Sequence, residues 1–88
     1  MTETPEGRLK RLKIRSWRRG TREMDMILGR WSDLHLVGLD AVGLALYEVL
    51  LDENDHDLYR WVSGAEPAPA RLADLIGRIA AEVPPVAG

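Results

Sequence analysis

Cysteine is absent from this 88-residue chain. That excludes a disulfide framework, a thiolate nucleophile and any zinc site built from Cys. It agrees with a reducing compartment. No apolar run approaches the ~18–20 residues that a membrane span requires. The stretch from Met1 to Gly7 is polar and acidic, without the apolar centre of a secretory signal. Together these absences give the expectation of a soluble, intracellular protein placed in the cytoplasm. There is no phosphate-binding glycine loop and no nucleophile–base pattern; Ser16, Ser32 and Ser63 read as ordinary helix or turn serines. His35 and His56 lack partners at a ligand spacing. His56 stands among Asp52, Glu53, Asp55 and Asp57, but this run lacks the Asp-x-Asp-x-Asp-Gly order and the closing Glu of a calcium loop. Neither a metal site nor a catalytic residue is expected. An autonomous enzyme is not expected either, since a chain of this size buries only roughly 60–65% of its unfolded surface and leaves little room for an enclosed active site.

What the chain has is charge, unevenly placed. The formal net charge is −2. Residues 1–30 carry nine Lys/Arg against four acids, and residues 31–88 carry three against ten. Such a chain has a positive and a negative pole, which can orient a partner. Eight of the twelve cationic residues lie between Arg8 and Arg22, around Trp17. That density raises a nucleic-acid hypothesis. Against it stand the acidic total and the lack of a recognisable nucleic-acid-reading element.

Proline and glycine divide the chain into five segments, and none shows a period-two strand pattern or an internal repeat. The first, from about Glu6 to Arg19, places Leu9, Leu12 and Ser16 on one helical face and Ile14 and Trp17 on a neighbouring one. The second, from about Thr21 to Leu36, repeats Met24, Ile27, Leu28, Trp31, Leu34 and His35 at helical steps. Asp40 is placed to cap a third, Ala41 to Leu51, which is apolar on most sides and reads as a buried central helix. Asp55 can cap a short fourth helix carrying Leu58, Trp61 and Val62, with Gly64 as its stop. Pro69 suits the first turn of a fifth, whose stripe is Leu72, Leu75, Ile76, Ile79 and Val83. The fold class is all-α, a compact bundle of five short helices. Residues 1–7 read as a flexible terminus, residues 8–83 as one domain, and residues 84–88, from Pro84-Pro85, as a loose tail.

The run Arg18-Arg19-Gly20-Thr21-Arg22-Glu23-Met24-Asp25 stands apart. Glycine is poorly tolerated inside a helix, at roughly 1 kcal/mol relative to alanine, so Gly20 marks a joint between the first two helices. Glu23 then falls in the first turn of the second, where its charge suits the helix N-terminus. The expectation is an exposed corner presenting guanidinium groups and one carboxylate. Trp17, amid Arg15, Arg18 and Arg19, reads as a partly exposed aromatic with cation–π neighbours.

Two runs can be read together. Arg19-Gly20-Thr21-Arg22-Glu23-Met24-Asp25 resembles the Arg-Gly-x-x-Glu-x-Asp motif of the flavinylation factors of succinate dehydrogenase. Asp55-His56-Asp57-Leu58-Tyr59-Arg60-Trp61 resembles that family's second signature, an acidic pair followed by Leu, an aromatic and Trp. The resemblance covers about residues 8–83. It implies a helical-bundle assembly factor that binds the flavoprotein subunit of succinate dehydrogenase, and often of fumarate reductase. There it promotes covalent attachment of FAD to a histidine of that subunit, which attacks the 8α-methyl carbon of a quinone-methide tautomer of the flavin ring. The factor would hold no cofactor of its own and would supply position, while FAD and the flavoprotein supply the chemistry. By position, Arg19, Gly20 and Glu23 would form the partner-binding surface, flanked by Arg22, Asp25, Arg18 and Trp17. Asp55, Asp57 and Trp61 would support it by shaping the bundle. His56 departs from the pattern, standing where many relatives have proline; the loop after Trp31 is short, with Gly38 and Leu39. The competing reading is a basic-helix nucleic-acid binder or an antitoxin-type interaction protein.

Overall fold

The computed structural model describes residues 3–83, so the expected tail at 84–88 lies outside the described residues. Five α-helices run α1 Pro5–Trp17, α2 Arg22–His35, α3 Ala41–Leu51, α4 Asp55–Val62 and α5 Ala70–Ala81. A 3-10 turn, Leu36–Gly38, follows α2, and no strand occurs among the described residues.

The helix starts are written locally. Thr4 Oγ1 accepts from Gly7 N at 3.0 Å, Thr21 Oγ1 from Met24 N at 3.3 Å, and Asp40 Oδ1 from Gly43 N at 2.8 Å. Each satisfies a first-turn donor that the helix leaves unpaired. The Thr4 cap, with Pro5 next and Glu6 in the first turn, draws α1 back into the stretch read as a flexible terminus. Glu3 also meets the Arg11 guanidinium, at 2.7 Å from Nε. At α4 the cap is Asn54, accepting from His56 N at 2.8 Å, so Asp55 is the first helical residue and not the cap. Pro69 takes the N-cap position of α5, one residue before its first turn. Gly64 has φ of 83° and stops α4 as its sequence position implies.

The centre of the bundle is α2. It packs on α1, the 3-10 turn, α4 and α5. Met24, Leu28 and Trp31 are buried from it, joined by Leu12, Leu36, Leu58 and the α5 stripe of Leu72, Leu75, Ile76 and Ile79. The expected central role of α3 is not observed. Only Tyr47, Leu50 and Leu51 of α3 are buried, and Val42 is 76% exposed. A composition apolar all round does not guarantee burial all round: α3 packs on α1 and α5, Leu44, Leu46 and Val49 are half-buried against the core, and Ala41, Val42 and Ala45 face out. Leu34 departs from its stripe in the same way and lies exposed near the end of α2.

Two cross-links fix α1 against its neighbours. The Ser16 hydroxyl donates to Leu12 O at 2.8 Å and shares a 2.6 Å hydrogen bond with the Tyr47 hydroxyl, all buried. Burial pushes the Tyr47 phenol up to about 12. Outside, a ladder of ion pairs joins α1 to α3 and its end. Arg8 and Arg11 meet Glu48, and Arg15 meets Asp52 at 2.9 Å. The Arg11 guanidinium holds the carboxyls of both Glu48 and Glu3 below the ordinary glutamate value.

Candidate docking site

The corner between α1 and α2 is shaped by a glycine and locked by an arginine. Gly20 has φ of 105°, in the region that side chains rarely adopt, and a Cβ there would meet nothing within 4 Å. The glycine serves the backbone path, not a tight contact within the fold. Gly20 is exposed, as are Arg18, Arg22 and Glu23 on either side of it.

Arg19 does not belong with that exposed set. Its side chain is only 9% exposed. Nε donates to Asp55 Oδ1 at 2.8 Å, Nη2 to Glu53 O at 2.8 Å, and Nη1 to Leu51 O. Leu51 is the last residue of α3 and Asp55 the first of α4. One guanidinium therefore satisfies carbonyls at the C-terminal end of α3 and neutralises the carboxylate at the start of α4. The fork of donors on arginine suits this and a lysine would not replace it. Asp25 also turns inward, since its Oδ1 accepts from the Arg19 backbone N–H. Of the residues expected to present charge outward, Arg19 and Asp25 hold the corner and Arg18, Arg22 and Glu23 are displayed by it.

Trp17 sits just before the corner, 37% exposed. Its indole Nε1 donates to the Asp33 carboxylate at 3.2 Å, and its ring lies flat over Gly29 of α2, where a Cβ would stand 2.2 Å away. The cation–π partners expected for Trp17 are not found among the described residues. The cation–π contact that does occur is Arg78 over Trp31, at 5.5 Å. Trp17 is a packing residue of the α1–α2 contact, and close approach explains the glycine at 29.

The second run, at α4, divides similarly. Asp55 is brought to the corner by Arg19. Asp57 is turned along its own helix to Arg60, at 3.3 Å, and Trp61 packs partly buried against the core. Neither reaches the corner. His56 and Tyr59, which the sequence does not assign to the partner-binding set, do reach it. With Thr21, Glu23, Met24, Asp55 and Arg60 they line a groove of about 380 Å³ between the start of α2 and α4. An open depression on the other side of Thr21 includes Arg18, Gly20, Asn54 and, again, His56. The pattern that could have flagged Tyr59 is its place one helical turn after Asp55. Among the described residues no cluster of His, Asp and Glu could hold a metal ion. His35, which has no partner at a ligand spacing in the sequence, faces the carboxylate of Glu82, distant along the chain.

Fold and site together define a small helical domain with a glycine corner braced from within and a groove beside it. A family model described as the flavinator of succinate dehydrogenase matches residues 10–83. The chain belongs to that family. It is 39% identical over 75 residues to the mitochondrial succinate dehydrogenase assembly factor 2 of Meyerozyma guilliermondii, covering 82% of this chain and 56% of that protein. It is 35% identical over 74 residues to the protein of the same name from Yarrowia lipolytica, covering 81% and 51%. For the Drosophila grimshawi protein, identity is 34% over 64 residues, covering 70% and 44%. The chain thus spans about half the length of these relatives, and less of some others. All are named as mitochondrial proteins, which overturns the cytoplasmic placement read from the sequence. The physical reason is plain: the polar, acidic composition of residues 1–7 and the lack of cysteine do not choose among compartments.

Proposed function

We propose that this protein is a non-catalytic assembly factor that binds the flavoprotein subunit of succinate dehydrogenase and promotes covalent attachment of FAD to a histidine of that subunit. The observation that carries the proposal is the corner itself. Gly20 and Glu23 are exposed in a backbone conformation that Arg19, Asp25 and Asp55 hold from behind, within the region that matches the family. A factor of this kind contributes position: it holds a segment of its client so that the reacting groups meet. Gly20, Glu23, Arg22 and Arg18 make the contact, Trp17 and Arg19 set its geometry, and FAD remains with the client. The names of the relatives mention succinate dehydrogenase and no other client, so fumarate reductase is not carried forward. The nucleic-acid reading is not favoured. Arg8, Arg11, Arg15 and Arg19 are each engaged by a carboxylate of this same chain, which removes half of the cationic run from phosphate binding.

The test is complementation in a host lacking its own factor, read as covalent flavin fluorescence of the flavoprotein subunit in a denaturing gel. The wild-type chain restores the fluorescent band and Gly20→Arg does not. A band of normal intensity with the Arg variant, or none with the wild type, would count against the proposal.

A further inference from the structure

The groove between the start of α2 and α4 adds a chemistry that the corner alone does not specify. We infer that it is the seat for one basic side chain of the client, with the aliphatic stem on Tyr59 and Met24 and the cationic head on Glu23; the identity of that client rests on the function proposed above.

The argument is one of charge and shape. Two carboxylates, Glu23 and Asp55, line the groove together with Arg60, whose partner Asp57 lies outside the lining. Asp55 is neutralised by Arg19 and Asp57 by Arg60, whereas Glu23 is exposed and has no ion pair among the described residues. The groove therefore keeps one uncompensated negative charge. Two helix N-termini open on it, at Arg22 and Asp55, and such ends ordinarily favour an anion. Here Glu23 and Asp55 already occupy those first turns, so an incoming anion is repelled by carboxylates while a cation is attracted. The apolar lining suits a long stem: Tyr59 is 44% exposed although it follows the buried Leu58, and Met24 forms the floor. Lysine and arginine bury such stems while keeping the charge at a polar rim, and a tyrosine face adds cation–π attraction. His56, shared by the groove and the depression beyond Thr21, links this seat to the Gly20 corner.

The experiment is charge reversal with compensation. Binding of the full chain to the purified flavoprotein subunit is measured by calorimetry for wild type, Glu23→Arg and Tyr59→Ala, each with its melting temperature. Glu23→Arg is expected to weaken binding by about tenfold or more and Tyr59→Ala several-fold, both with melting temperatures near wild type. Reversing individual surface Lys and Arg residues of the subunit to Glu should identify one position that restores binding to Glu23→Arg. Unchanged binding by Glu23→Arg, or no restoring position, overturns the inference while leaving the function intact. An independent arm needs no client. In amide NMR spectra, acetyl-Gly-Arg-Gly-amide should shift Glu23, Met24 and Tyr59, and acetyl-Gly-Glu-Gly-amide should not. If the wild-type chain does not bind the subunit, the proposed client is wrong and this arm decides the groove: equal or absent shifts with the two peptides overturn it.

Discussion

At the scale of single residues the corner separates two kinds of constraint. Gly20 is fixed by backbone geometry, so any side chain there is strained wherever it points. Gly20→Ala should cost about 1–2 kcal/mol in denaturant unfolding, from the positive φ alone. Gly20→Arg should cost a similar amount, because open space receives its side chain. A loss of flavinylation by Gly20→Arg much larger than that by Gly20→Ala then reports on the surface, and equal losses would report on the strain. Glu23 is the reverse case. It is exposed at a helix start, where its charge contributes at most ~1 kcal/mol. Glu23→Ala should barely move the melting temperature and should cut the yield of covalent flavin. If only the melting temperature moves, Glu23 belongs to the fold and the assigned contact is wrong.

Between elements, two close contacts do what the helices cannot do alone. The first is the Arg19 clamp. Replacing Arg19 by Met leaves Asp55 and two carbonyls short of a partner in a largely buried place, and should cost about 3–5 kcal/mol. Removing both charges, Arg19→Met with Asp55→Asn, should cost less than the sum of the two single changes; additive losses in a double-mutant cycle would mean that the pair does not act as one unit. The second is Trp17 over Gly29. Gly29→Ala drives a methyl into the indole ring, which must swing out and break its bond to Asp33. Stability should fall by about 1–3 kcal/mol, with a red shift of tryptophan emission that Trp17→Phe abolishes. Much of this level is legible in the sequence. Asp40 and Gly64 declare their cap and stop because each works within three residues of itself. The cap of α4 is Asn54 and not its neighbour Asp55, although either side chain can serve; Arg19 claims Asp55 from 36 residues away, leaving Asn54 to do it.

For the whole molecule, pH reads the two cross-links of α1. Glu48 and Glu3 titrate below the ordinary 4.5 because Arg11 holds them charged. Their stabilisation is complete above that value and is lost as pH falls through their lower folded-state values. Tyr47 behaves oppositely. Its neutral form is favoured by burial, so the unfolded chain releases the proton near 10 and the folded chain near 12. Stability should hold up to about pH 10 and fall between there and pH 12, a loss that Tyr47→Phe removes; guanidinium unfolding across the alkaline range measures it. The sequence by itself determined the number of helices, most of their boundaries, the α5 stripe and the glycine joint. These follow from periodicity, caps and proline, which are local chemistry. It also carried the family, in two runs of seven residues. Only the tertiary structure decided that α2 and not α3 lies at the centre, that Arg19 and Asp25 face inward while Glu23 faces out, and that Tyr59 and His56 join the corner. Those outcomes depend on which helices touch, and a guanidinium that looks free in a line of charges is committed once a helix end 32 residues away comes within hydrogen-bonding reach.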